Sequence, residues 1–318
     1  MVYEPAEHTA TERSLGRLSS GTDVSVTVHR YAGGDGPTVY VQAAQHGIEL
    51  NGPAALRRLH DRLRSTELAG TVVVVPVVNS LAFDHRSYMT PAEYDVMNPN
   101  LNRVWPGDEN GSLQERIAAR LWELAADADA VVDLHTGTPD MLEHARYREG
   151  DDDARRLAEA FGTAYLLTDG DETPDDEDGP GTFRTATARA GIPAVTAELS
   201  NSRTVAHEAA QAGVDGVENV LRELDVLAAT PADSPEQTTL RDDAAYTVAD
   251  ESGLFELRRG LTVGDELAEG TELGAIYCPS SFERLQTVTA AEGGVVYSLA
   301  RESVVVSGER LAAVATRV

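Results

Sequence analysis

The run TVVVVPVV at residues 71–78 sets the first limit on the fold. A nearly unbroken stretch of β-branched apolar side chains has no polar face to offer water, so it must be covered on both sides. A strand buried in that way belongs inside a sheet flanked by helices. The first 230 residues keep the pattern, with strand-like runs at 38–44, 130–134 and 192–199 alternating with helix-like runs at 53–64, 113–126, 152–161 and 205–227. This predicts an α/β fold. The texture changes after residues 229–237, where two prolines, a serine and acidic residues form a linker. From 238 to 318 short strands are separated by glycine turns. The chain therefore reads as an α/β domain over 1–230 followed by a small all-β domain over 238–318.

Charge narrows the function. Among 318 residues 53 are acidic and 26 basic, a formal net charge of −27, and every basic residue is arginine. Without lysine the chain cannot be a Walker A nucleotide binder, a pyridoxal-phosphate enzyme, or a lipoyl or biotin carrier. The last exclusion matters because the turns Gly264-Asp265-Glu266 and Gly308-Glu309-Arg310 resemble those of a lipoyl-type barrel. A structural or substrate-gating role remains for that segment. So acidic a surface repels phosphates, which argues against nucleic acid and against anionic membranes as partners. With 42% hydrophobic residues the chain can still bury a core. Abundant carboxylates with arginine in place of lysine resemble the proteins of extreme halophiles, where molar salt screens self-repulsion. The single Cys278 forms no internal disulfide. Residues 1–20 carry charges throughout, and no 18-residue uncharged apolar stretch follows, so a cytoplasmic protein is expected, with a homo-oligomer left open.

The chemistry begins at Gln45-His46-Gly47-Ile48-Glu49, just past the strand-like run 38–44. In a turn, the three-residue separation of His46 and Glu49 directs an imidazole nitrogen and a carboxylate oxygen at one point. Alone, that pair is common on ordinary surfaces. His135 follows the buried run 130–134, at the edge where open α/β sheets bind ligands. Asp133 shares its side of the strand and could orient a metal-bound imidazole. Two histidines and a glutamate are the ligand set of a catalytic zinc with one open position, so one Zn2+ per chain is expected on His46, Glu49 and His135. Between these residues, NPNLNRVWPG at 98–107 is bounded by turn formers and centred on Asn102-Arg103. A guanidinium offers a planar fork to a carboxylate, and asparagine adds donors and an acceptor. His144 either lines a pocket or faces solvent. His8, His29, His60 and His207 lack a partner at ligand spacing and are expected on the surface.

Taken in order, HGxE, NxxxxxxR from Asn79 to Arg86, LNRxWPG, DLH and TAEL at 196–199 resemble the zinc carboxypeptidase-like deacylases, in their succinylglutamate desuccinylase and aspartoacylase branch. The resemblance implies a zinc carboxypeptidase-like mixed sheet flanked by helices, with a small C-terminal all-β domain. It implies that His46, Glu49 and His135 hold zinc, that Glu198 is the general base and acid, that Arg86 faces the oxyanion, and that Asn102 and Arg103 bind the substrate carboxylate. Two positions depart from the family pattern: Asn100 stands where aspartate is usual, and Ser200 where glycine usually follows the TxEL motif.

The implied activity is zinc-dependent hydrolysis of the amide of a small anionic N-acyl amino acid by metal-activated water. The alternatives are a zinc carboxypeptidase acting on peptides and a non-catalytic zinc-binding protein. Seven of the ten residues at 169–178, DGDETPDDED, are acidic. They read as a solvated loop, or as a loop over the site that repels acidic competitors. An anionic substrate approaching this chain meets long-range repulsion that salt screens. Activity on such a substrate is expected to rise from low to molar salt; a flat or falling rate profile would contradict that expectation.

Overall fold

The computed structural model describes residues 1–137, 140–169, 179–232, 235–300 and 302–318, so most of the acidic run, 170–178, lies outside the described residues. The chain opens with an antiparallel pair, β1 (Glu7–Arg17) and β2 (Asp23–Ala32). Then come β3 (Thr38–Ala43), α1 (Asn51–Leu63), β4 (Thr71–Val75), α2 (Ser80–His85), α3 (Leu113–Ala125) and β5 (Ala130–Gly137). They are followed by β6 (His144–Arg148), α4 (Asp152–Phe161), β7 (Tyr165–Asp169), α5 (Phe183–Arg189), β8 (Ala194–Asn201) and α6 (His207–Glu223). The longer strands after residue 237 are β9 (Thr238–Asp242), β10 (Gly253–Leu257), β11 (Glu272–Tyr277), β12 (Arg284–Thr289), β13 (Gly294–Leu299) and β14 (Arg310–Arg317).

The architecture is a mixed sheet flanked by helices, with strand order β13-β14-β9-β7-β6-β8-β5-β3-β4-β2-β1. At its centre β4, β3, β5 and β8 run parallel. β6 enters antiparallel to β8 and parallel to β7, which makes the sheet mixed. The valine run behaves as its composition requires. Val72 and Val74 pack on one side with Leu56 and Leu59 of α1, while Val75 packs on the other with Trp105 and with Ile117 of α3. The strand stops at Val75, one residue before Pro76, which has no N–H for the ladder. The α3 helix starts with a capping box, the Glu115 carboxylate accepting from the Ser112 N–H at 2.7 Å.

Beyond residue 237 the chain rejoins the sheet, as β9 pairs parallel with β7 and antiparallel with β14. Strands β10, β11 and β12 form a separate antiparallel sheet over a core of Phe255, Leu273, Ile276 and Val288. Among the described residues no helix is long and apolar enough to cross a membrane.

Helix α6 reaches the sheet because two glycines on its buried face admit close neighbours. A Cβ on Gly213 would stand 2.8 Å from Leu199, and one on Gly216 would stand 2.4 Å from the Phe161 ring. Phe161 is itself 3% exposed and cannot swing aside. Gly216→Ala gains about 1 kcal/mol of helix propensity and loses about 1–3 kcal/mol to overpacking. A net loss is expected, read as a lowered urea midpoint.

Candidate active site

Three parallel strands carry one sheet face from an apolar half to a polar half. Tyr40 and Gln42 share that face on β3, Val131, Asp133 and His135 on β5, and Ala194, Thr196 and Glu198 on β8. Tyr40, Val131 and Ala194 belong to the core around Trp105. Toward the C-terminal ends the core gives way to polar side chains, brought together by register: Gln42 stands opposite Asp133, and Glu198 opposite His135. This is the sheet edge at which parallel α/β folds bind ligands.

Asp133 is 2% exposed and fully bonded. Its Oδ1 accepts from Gln42 Nε2 at 3.1 Å, and its Oδ2 accepts from Gln45 Nε2 at 2.7 Å and from His135 Nε2 at 3.0 Å. With Nε2 carrying the proton, His135 turns Nδ1 toward Glu49 Oε2, 3.0 Å away. That Oε2 nevertheless has no hydrogen-bond partner, so the two atoms are close without being aligned as donor and acceptor. One donor atom from each of His46, Glu49 and His135 lies within 4.8 Å of the other two, and all three residues are buried.

Several inaccessible polar atoms without partners surround the same cavity: His46 Nδ1, Glu49 Oε2, Glu198 Oε2, His144 Nε2 and Thr136 Oγ1. Buried polar atoms are normally paired, so this concentration is the signature of a binding site. Burial holds His46 well below its ordinary pKa, aided by His135 and Arg103. Burial would also depress His135, but the Asp133 and Glu49 carboxylates outweigh it and raise it well above the usual range. Burial raises Glu49 and Glu198, with His135 opposing in each case. A neutral imidazole, an imidazole backed by a carboxylate and a desolvated glutamate together favour a bound cation and suit zinc.

The cavity has a volume of about 550 Å3. Asn102, Arg103 and Glu198 all line it. Asn102 also accepts the Phe183 N–H at 2.9 Å through Oδ1, tying its loop to the start of α5. Asn100 does what an aspartate would do there, its Oδ1 accepting the Asn102 N–H at 3.0 Å.

Arg86 is not brought to the cavity. It caps α2 in the left-handed region, φ 52°, with its side chain exposed, and the chain reversal it makes delivers Tyr88 instead. Tyr88 stacks on His46 with ring centroids 3.9 Å apart, and burial pushes its phenol up to about 12. The Asn79 that opens the same motif is structural: Oδ1 accepts the Ala82 N–H at 3.1 Å, and Nδ2 donates to the Gln45 carbonyl at 3.0 Å.

Sequence reasoning also missed a second wall. Arg146 and Arg184 line the cavity, Arg146 bonded to Asp169 at 2.6 Å and to Asp242 at 2.7 Å, and Arg184 paired with Asp169. Burial and the nearby Arg146 pull the Arg184 guanidinium down to about 9, so an approaching anion is favoured there. Tyr297, Glu309 and Arg310 close the wall from the C-terminal strands. His144, undecided in the sequence, is buried on β6, its Nδ1–H donating to the Leu142 carbonyl at 2.8 Å. His144 and Arg146 alternate along β6, but no sequence spacing ties them to Arg184 or to the C-terminal strands.

The profile of the succinylglutamate desuccinylase/aspartoacylase catalytic domain matches residues 35–224. The N-alpha-acetyl-L-2,4-diaminobutyric acid deacetylase of Halomonas elongata is 30% identical over 255 residues, 77% of this chain and 71% of that protein. The crystal structure of a succinylglutamate desuccinylase/aspartoacylase from Rhodobacter sphaeroides superposes with a TM-score of 0.84 at 25% identity, covering 99% of this chain and 96% of that one. The product-bound ectoine utilization protein EutE (DoeB) from Ruegeria pomeroyi superposes with a TM-score of 0.83 at 25% identity, covering 98% and 96%.

Just past Glu198 the chain meets the second departure. Ser200 sits at φ 57°, within a register shift between Glu198 and Asn201. Asn51 pins this bulge, its Nδ2 donating to the Leu199 carbonyl at 2.7 Å. A non-glycine residue in that conformation costs roughly 1–2 kcal/mol, part of which glycine returns as unfolded-state entropy. Ser200→Gly is expected to stabilise the chain by roughly 0.5–1 kcal/mol, measured as a raised urea midpoint. An unchanged or lowered midpoint would refute the strain.

Proposed function

The chain belongs to the succinylglutamate desuccinylase/aspartoacylase family, and on that footing we propose that it is a zinc-dependent hydrolase that cleaves the amide of a small anionic N-acyl amino acid. The observation that carries this reading is the convergence of unpartnered atoms from His46, Glu49 and Glu198 on one cavity of about 550 Å3. That volume suits a metabolite. The Halomonas elongata relative, by its name a deacetylase of an acetylated diamino acid, supports the same class of bond.

His46, Glu49 and His135 would hold the metal. Bound there, zinc supplies Lewis acidity and a water of lowered pKa. Asp133 keeps His135 in the tautomer that presents Nδ1. Glu198 takes the proton from the attacking water through its free Oε2 and returns it to the leaving amine nitrogen as the C–N bond breaks, giving a carboxylate and an amine. Desolvation, which raises its pKa, makes it a stronger base than an exposed glutamate. Tyr88, stacked on His46, is the donor available to the carbonyl oxygen in place of Arg86. Arg103, with Arg184 deeper in the cavity, receives the substrate carboxylate while Asn102 steadies the loop.

The test pairs two variants on a panel of N-acyl amino acids and short peptides. Glu198→Gln is expected to lower kcat by roughly 10²–10⁴-fold with zinc content unchanged. Glu49→Gln is expected to lose the metal itself. Turnover of peptides alone would move the assignment to a carboxypeptidase. No turnover by zinc-loaded protein, with ligand binding intact in Glu198→Gln, would make the site non-catalytic.

A further inference from the structure

Away from the cavity, three imidazoles with no common spacing in the sequence converge: His8 on β1, His29 on β2 and His60 in the last turn of α1. Spacing along the chain predicts three separate surface residues. The strand register explains the meeting. His8 stands opposite Tyr31 and Ala10 opposite His29, so His8, His29 and Tyr31 share the sheet face that α1 covers. One ring nitrogen of each histidine lies within 4.8 Å of those of the other two. His8 Nε2 and His29 Nδ1 are 3.1 Å apart. Two imidazole nitrogens bound to one tetrahedral zinc stand about 3.3 Å apart, so this pair is already near ligand spacing.

The surroundings orient the rings. The Tyr31 hydroxyl meets His60 Nδ1 at 2.5 Å, and the Tyr31 ring stacks on His8 with centroids 4.8 Å apart. Tyr31 is 2% exposed and fixed in the core beside Leu59 and Leu63. A phenolic oxygen against one ring nitrogen is the outer partner that a metal-bound histidine commonly has. Burial and mutual repulsion among the three rings, with Arg64 beside His8, hold His8 and His29 below their ordinary pKa and thus in the neutral form that binds metal.

We propose that His8, His29 and His60 form a second metal site, for a divalent first-row transition ion that prefers imidazole, with zinc as its representative. It is structural. His60 lies nine residues beyond Asn51, where α1 begins directly after the Glu49 turn, or roughly 14 Å along the helix, whereas ions that share a reaction stand about 3.5–4 Å apart. An ion here would clip the outer hairpin β1–β2 to the far end of the helix that starts at the active site.

This proposal does not depend on the hydrolase assignment, and the experiment separates the two. In the full chain carrying His46→Ala, which dismantles the first trio, zinc is titrated after chelator treatment and counted per chain by elemental analysis. One zinc per chain is expected, and none once His8→Ala is added. Zinc should also raise the thermal midpoint of the His46→Ala protein and leave that of the double variant unmoved. His8 is chosen because His60 and Tyr31 are tied into the core. A His46→Ala chain that binds no zinc, or a count and a thermal shift that persist after His8→Ala, would overturn the proposal. Restoring binding with His29 intact and His8→Cys, a second metal-binding side chain, would further support it.

Discussion

A single buried carboxylate holds the site together. Asp133 lies on an interior strand, where an unpaired charge would cost several kcal/mol, so its oxygens must be met by donors wherever the chain can supply them. Gln42 meets it across the β3–β5 pairing, Gln45 from the turn after β3, and His135 from two residues along its own strand. Gln45 is in turn held by Trp105 Nε1 at 2.8 Å, and its carbonyl by Asn79. One charge therefore couples strand register, the LNRVWPG loop and the start of α2. Loosening any of these frees the ring that must present Nδ1 to its neighbours.

The sheet face explains why the chemistry sits where it does. Its apolar half is sealed by Trp105, Phe183 and α3, which gives the polar half a dry floor. Electrostatic interactions are stronger over such a floor than in water, and the carboxylates and imidazoles shift one another accordingly. The opposite wall depends on β6, whose antiparallel insertion beside β8 brings His144 and Arg146 to the cavity. The last strands finish the enclosure with Tyr297 and Arg310. A chain of net charge −27 thus keeps guanidinium groups at Arg103, Arg146, Arg184 and Arg310 around one concave region. The same lining carries the carboxylates of Glu49, Asp133, Glu198, Asp242, Glu302 and Glu309, so the guanidinium groups offer local points of attachment for an anion and not a net positive region.

The readable parts of the site were the local ones. His46 and Glu49 lie within one turn, and Asp133 and His135 on one strand face, so spacing alone implied a shared direction. Glu198 was legible through an ordered motif. Ser200 and Asn100 stood out as departures, and the backbone explains both: one occupies a left-handed position, the other makes the same turn bond that aspartate makes. Arg86 marks the limit. Its place in a motif carried no information about the left-handed cap that turns it outward and Tyr88 inward. His144 and Arg146 alternate along β6 and share a face, but their spacing does not reveal that β6 inserts beside β8, and Arg184 on α5 reaches the same wall only through the tertiary fold.

The amino-acid sequence by itself determined the α/β class, the covered valine strand and the shared direction of His46 with Glu49 and of Asp133 with His135, because periodicity and short spacings act through the local backbone. Only the tertiary structure decided which arginines face the cavity, that residues beyond 237 extend the main sheet, and that His8, His29 and His60 meet. Those outcomes depend on strand order and register. Register is chosen by the summed burial of whole faces, a quantity that no single segment of the chain contains.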